Sequence, residues 1–265
     1  MHNRGRSYSE DPLSPATYTP TSDKGGKTSQ ERRSGGCVGV IGTKSIVIAF
    51  GGSLLNFDKE YFEKFRNFIT KLSKEFKIYL VIGGGKTARN YIEFGRDMGV
   101  EEEKLDWIGI DATRLNARLI SCILDANNII PESVEEAVNM KSPIVVMGGT
   151  SPGHSTDAVA AELARKSGAD ILLIATDVKG IYDKDPKKHS DAVLYDELYV
   201  EDLIEKYGTE WKKAGENIVI DGPALDVIGK STYRVAIVDG RDIENMEMAI
   251  RGEDFVGTKI KRRDA

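Results

Sequence analysis

The stretch that most restricts the fold runs from Gly148 to Lys188, GGTSPGHSTDAVAAELARKSGADILLIATDVKGIYDKDPKK. It predicts a Gly/Ser/Thr-rich loop, a helix over about Thr156 to Ser167, a buried strand Ile171–Ala175, and a polar loop carrying Asp177, Tyr182 and Asp185. A loop, helix, strand and second loop in that order belong to an open α/β sheet. Such sheets hold their ligands at the carboxyl ends of the strands. Backbone donors, hydroxyls and carboxylates are therefore gathered on one edge.

The remainder of the chain reads as support for that edge. Ile46–Phe50 is an apolar run closed by Gly51 and Gly52, and a helix follows from Asp58 with Phe62, Phe65, Phe68/Ile69 and Leu72 at helical spacing. Ile78–Ile82 is the next strand, broken by Gly83-Gly84-Gly85 before Lys86-Thr87-Ala88-Arg89 opens a second helix. Helical patterns then cover roughly Leu105 to Ala126 and Ser133 to Met140, followed by the strand Pro143–Met147. Beyond Lys188 the pattern predicts helices at Val200–Tyr207, Ala224–Lys230 and Ile243–Arg251, a strand at Arg234–Asp239, and a closing edge strand at Val256–Ile260. The alternation predicts a mainly parallel sheet with helices on both faces, one compact domain of two lobes around a cleft. Residues 1–43, rich in Ser, Gly, Pro, Thr and charge, read as a disordered extension or an expression remnant.

Composition narrows the function classes. With 265 residues, 40% of them hydrophobic, the chain can bury a large core. A formal net charge of -5 offers no basic patch for nucleic acid, and no apolar run is long enough to span a bilayer. The two cysteines, Cys37 and Cys122, are too far apart in unlike contexts to argue a disulfide or zinc site, and Cys122 reads as a small core side chain. A reducing, cytoplasmic setting is the expectation.

Several motifs carry chemistry, each beside a plainer reading. Gly51-Gly52-Ser53 and Gly83-Gly84-Gly85 end neighbouring strands. They are either tight turns or two cradles facing two phosphates, because glycine lets backbone amides approach an anion and a helix N-terminus adds unpaired N–H groups. A Walker A loop fails, since its first glycine would fall on Leu80. Ser155 or Thr156 caps a helix, with Asp157 in the first turn where the dipole favours a carboxylate. His154 reads as a solvated loop histidine. Asp177 to Pro186 offers an aromatic ring and carboxylates, so a nucleotide could stack on Tyr182 and bond its ribose to Asp185, or the loop could simply be solvated.

Together GGSLL, IGGGKTARNYIEFGRDMG, LDWIGIDATRLNA, GGTSPGHSTDAVAAELA and TDVKGIYDKDPKK, with the terminal RGEDFVGTKI, resemble the amino acid kinase family in its archaeal UMP kinase branch, over Ser45 to Ile260. The resemblance implies a three-layer αβα sandwich whose N-terminal half, about 44–165, binds UMP and whose C-terminal half, about 166–265, binds ATP. It implies that Gly84 touches the UMP phosphate, that Gly85 and Arg89 lie where the nucleotides meet, and that Asp106 bonds the uridine ribose. The loop Gly149-Thr150-Ser151-Pro152-Gly153-His154-Ser155-Thr156 supplies the remaining UMP contact. Thr176, Asp177, Tyr182 and Asp185, with Gly51, Gly52 and Ser53, take the ATP side, and Asp157 is the organising aspartate. Mg²⁺ accompanies ATP with no separate protein metal site, and the assembly is a homohexamer, a trimer of dimers.

Two departures qualify the match. A family lysine two residues before the first Gly-Gly pair is here Ala49, and a second falls near Asp221-Gly222-Pro223. Lys86 and Arg89 are then the expected source of positive charge, with Asp157 orienting them or the phosphates. The same departures keep open a rival reading, an ATP- and oxyanion-binding subunit resembling molybdenum storage proteins, and also a kinase for another small acceptor.

Overall fold

The computed structural model describes residues 44–210 and 220–263. The expectations for residues 1–43, including Cys37, lie outside the described residues. The elements in order are β1 (Ser45–Phe50), α1 (Lys59–Leu72), β2 (Lys77–Ile82), α2 (Gly85–Asp97), α3 (Glu102–Leu124), α4 (Val134–Asn139), β3 (Ile144–Met147), α5 (Thr156–Ser167), β4 (Ile171–Thr176), β5 (Glu197–Tyr199), α6 (Val200–Tyr207), α7 (Gly222–Gly229), β6 (Arg234–Asp239), α8 (Ile243–Arg251) and β7 (Thr258–Lys261).

The strands form one 7-stranded sheet in the order β3-β2-β1-β4-β6-β7-β5. All neighbours pair parallel except β6 with β7. Strand alternation divides the core. Val47 and Ala49 of β1 join α4, α5, α6 and α7 on one face, while Ile46, Ile48 and Phe50 join α1, α3 and α8 on the other. The three-layer αβα sandwich is therefore present, with both sheet faces covered as a parallel sheet requires.

Sequence patterns become structure by ordinary means. Asp58 caps α1, its carboxylate accepting from Glu60 N at 2.9 Å and Tyr61 N at 3.3 Å. The phenylalanine stripe of α1 then lies on the sheet, Phe65 against Phe50 with ring centroids 5.0 Å apart and against Phe62 and Phe68 at 6.3 Å each. On the opposite face α5 presents Ala158, Ala160, Ala161 and Ala164, small enough to let the helix lie close to β1.

Two expectations are corrected. The last strand is not an edge: β7 sits between β6 and β5, and the short strand β5, with exposed Glu197 and Tyr199, forms the edge. Its three residues carry no apolar run, since only Leu198 packs inward. Cys122 is exposed rather than in the core, because the buried face of α3 passes through Ala117, Ile120, Ser121 and Leu124. Among the described residues no helix is long and apolar enough to cross a membrane.

Phe65 is fully buried at the centre of the ring cluster. Phe65→Ala is expected to destabilise the protein by about 3 to 5 kcal/mol, read as a lowered denaturation midpoint in urea.

Candidate functional site

The sheet reverses direction of build at β1. From it the chain adds β2 and β3 on one side, and β4 and β6 on the other. A crevice opens at such a switch point, at the carboxyl ends of the strands. The strand exits are tied at one level: Gly51 N donates to Ala175 O at 2.8 Å, Gly83 N to Phe50 O at 2.9 Å and Gly240 N to Thr176 O at 2.8 Å.

The two glycine turns meet here, backbone against backbone. A Cβ on Gly52 would overlap the backbone nitrogen of Gly85, and a Cβ on Gly85 would overlap the carbonyl oxygen of Gly52. Gly85 also has φ +60, which an L side chain rarely adopts. The turns thus form a single double loop, and the first amides of α2, which have no intrahelical acceptor, open beside it.

Helix α3 holds the neighbouring loops. Asn116 Nδ2 donates to Gly83 O at 2.9 Å and Gly84 O at 3.1 Å. Thr113 Oγ1 accepts from Gly149 N at 2.6 Å and donates to Ile110 O at 2.6 Å. Arg114 reaches Gly149 O and Thr150 O, each at 3.2 Å, and pairs with Glu132. Asp106, half-buried, lies one turn before Ile110 on the side of α3 that faces Gly149. Sequence reasoning named Gly84, Asp106, Gly149 and Thr150 as candidates but not these anchors. Their signal was present, because Thr113 and Asn116 are polar at buried positions of a helical stripe.

Farther along the loop, Ser151 is exposed and Pro152 and Gly153 are half-buried. His154 is exposed, with Nδ1 3.3 Å from both Ser151 Oγ and Pro152 O. Ser155 caps α5, its hydroxyl accepting from Ala158 N at 3.0 Å, and Thr156 is the first helical residue.

On the other side of β1, Thr176, Asp177, Tyr182 and Asp185 line one cavity of about 300 Å³. Its inner wall is apolar, made by Leu203, Tyr207, Ile220 and Leu225 from elements remote in sequence. Lys187 pairs with Asp177 at 2.6 Å, and Arg241 Nη2 donates to Asp177 O at 3.0 Å. Asp185 Oδ1 accepts from Lys187 N at 2.9 Å. Buried Thr258 fixes the entrance, its hydroxyl accepting from Ile181 N at 2.8 Å and donating to Tyr195 O at 2.6 Å.

Asp157 sits between the two halves, in the first turn of α5. The helix N-terminus favours its anion, yet burial, aided by the carboxylate of Asp221, pushes the carboxyl up to about 7. Asp221 itself caps α7, accepting from Ala224 N at 2.8 Å. The position of the missing family lysine, Ala49, is 2% exposed and packed in the same cluster as Ala158 and Val159, so no cation reaches Asp157 from β1. Lys86 and Arg89 are exposed on the first turns of α2.

Comparison with known proteins extends this geometry. A uridylate kinase of Thermoplasma volcanium is 43% identical over 226 residues, 83% of this chain and 99% of that protein. A uridylate kinase of Methanobrevibacter smithii is 42% identical over 221 residues, 81% and 98% of the two chains. The crystal structure of uridylate kinase from Archaeoglobus fulgidus superposes with a TM-score of 0.74 at 39% identity, covering 82% of this chain and all, 100%, of that one. The model of the amino acid kinase family matches residues 44–239. By the family model and by these similarities in sequence and fold, the chain belongs to the amino acid kinase family.

Proposed function

We propose that the protein transfers the γ-phosphate of ATP to UMP, giving UDP and ADP, a step of pyrimidine nucleotide synthesis in the cytoplasm. The observation that carries this reading is the contact of the two glycine turns at the switch point, between the loop of Gly149–Thr156 and the cavity at Tyr182. The similarity to uridylate kinases supports UMP as the acceptor.

The acceptor oxygen of UMP is mostly ionised near neutral pH, since the second pKa of a phosphate monoester is about 6. Transfer then needs alignment and charge neutralisation rather than a general base. In this reading residues 44–165 hold UMP, with Gly84 on its phosphate, Asp106 on its ribose and Gly149–Thr156 closing over it. Residues 166–265 hold ATP, with the adenine against the apolar wall of the cavity, Tyr182 and Asp185 at its rim, and Thr176 and Asp177 toward the phosphates. Gly51, Gly52, Ser53 and Gly85 direct amides at the point of transfer. Lys86 and Arg89, free of ion pairs among the described residues, swing in from α2 to balance the phosphoryl charge.

Among the described residues no group of three or more His, Cys, Asp or Glu could hold a metal alone. Mg²⁺ carried on ATP phosphates needs only one or two protein carboxylates. Asp157, desolvated and close to Asp221, is the carboxyl that would gain from its arrival. Mg²⁺ would screen the phosphate oxygens, and Asp157 would ionise to orient the cations around them.

The exposed apolar stripe of Tyr91, Phe94 and Met98 on α2, with Leu115 and Leu119 on α3, supports self-association into a homohexamer built from dimers through this face.

A coupled assay with ATP, Mg²⁺ and UMP is expected to yield UDP, and its absence at saturating substrate would overturn the reading. In the same assay Lys86→Ala should lower turnover by more than about tenfold, whereas a rate within a few-fold of wild type removes Lys86 from the mechanism. For Asp157 the folded carboxyl is raised above its unfolded value, so ionising it weakens the fold. That penalty is absent below about pH 4 and complete above about pH 7. Asp157→Asn should accordingly be more stable than wild type at pH 8, by up to about 4 kcal/mol, with the difference vanishing toward pH 4 in thermal melts. Light scattering should find six copies, and Phe94→Glu with Leu115→Glu should leave a smaller species.

A further inference from the structure

Helix α3 carries polar side chains into a place where a helix facing a sheet ordinarily presents carbon. Asn116 is 5% exposed and Thr113 is 7% exposed, and both lie on the buried face with Ala112, Ala117 and Ile120. A buried amide or hydroxyl is tolerated only when its hydrogen bonds are made. Here the bonds made are all to loop and helix backbone at the candidate site.

The turn Gly83-Gly84-Gly85 has no side chains with which to hold itself. Its backbone is held in part by its neighbours, Gly83 N donating to Phe50 O at 2.9 Å and Ala88 N donating to Gly84 O at 3.2 Å. The two hydrogens of the Asn116 amide add a hold from α3, one for Gly83 O at 2.9 Å and one for Gly84 O at 3.1 Å. A trans peptide is planar, with its C=O and N–H pointing in opposite directions. Pinning the Gly83 and Gly84 carbonyls toward α3 therefore aims the Gly84 and Gly85 N–H groups away from α3, into the space before the α2 N-terminus.

We propose that Asn116 is a positioning residue that sets the direction of the Gly84 and Gly85 amides, and that α3 thereby registers this phosphate turn with the Gly149 loop one helical turn away. Thr113 completes the register, since its hydroxyl accepts from Gly149 N at 2.6 Å while its proton is committed to Ile110 O. Asn116 does not touch the nucleotide. It acts through the turn, and the inference rests on the acceptor being a phosphate monoester such as UMP.

Steady-state kinetics of N116A and N116S, on full-length protein of wild-type circular dichroism, separates positioning from mere support. The expected result for N116A is a KM for UMP raised about tenfold or more with the KM for ATP within about twofold. N116S, which keeps one donor, falls between, and suffices if N116A does not fold. T113V should also raise the KM for UMP, and T113S, which restores the hydroxyl, should reverse it. A purely structural role would reduce the active fraction, lowering kcat with both KM values unchanged, and that result overturns the proposal. Should the wild-type protein make no UDP, the UMP reading fails by itself. Amide hydrogen exchange without substrate then decides for Asn116: faster exchange confined to residues 83–88 in the variant supports the positioning role, and unchanged exchange there overturns it.

Discussion

The contact of Gly52 with Gly85 governs the arrangement of everything around it. Two strand-exit turns approach until no Cβ fits between them, and this closeness holds only because each is glycine and because the strands beneath, β1 and β2, pair in parallel register from Ser45↔Lys77 to Phe50↔Ile82. The contact brings the amides of two loops to one point. Had either turn carried a side chain, the loops would stand apart.

Each half of the site is secured by one buried threonine that accepts from a loop amide and donates to a carbonyl. Thr113 of α3 does this for Gly149, and Thr258 of β7 does it for Ile181. A hydroxyl serves because it offers a donor and acceptors on a short, stiff stem. The loops themselves are glycine-rich and polar, so rigidity has to come from the scaffold they touch. Helix α3 and the antiparallel strand β7 are thus parts of the candidate site despite lying behind it.

Electrostatics places the third constraint between the halves. Asp157 lies at a helix N-terminus that favours its charge, but burial and the neighbouring Asp221 outweigh the dipole. With alanine at position 49 packed under α5, β1 supplies no compensating cation. The closely packed alanines of α5 and the absence of a β1 cation are two sides of one packing solution.

Much of this was legible in the residues themselves. The α/β alternation, the phenylalanine stripe of α1, the glycine turns, the Ser155 cap and the order of loops in Gly148–Lys188 follow from periodicity, capping and backbone freedom, which are local properties. Tertiary structure alone decided what depends on pairs distant in the chain. The edge position of β5 comes from its pairing with β7, the apolar cavity wall from Leu203 to Leu225 meeting the Tyr182 loop, and the raised carboxyl of Asp157 from its burial and the approach of Asp221. Asn116 lies on both sides of the line. Its polarity on a buried helical face is written in the sequence, but the two carbonyls it holds are identified only when α3 packs across the end of β2, because a hydrogen bond has a partner only once the fold has brought it there.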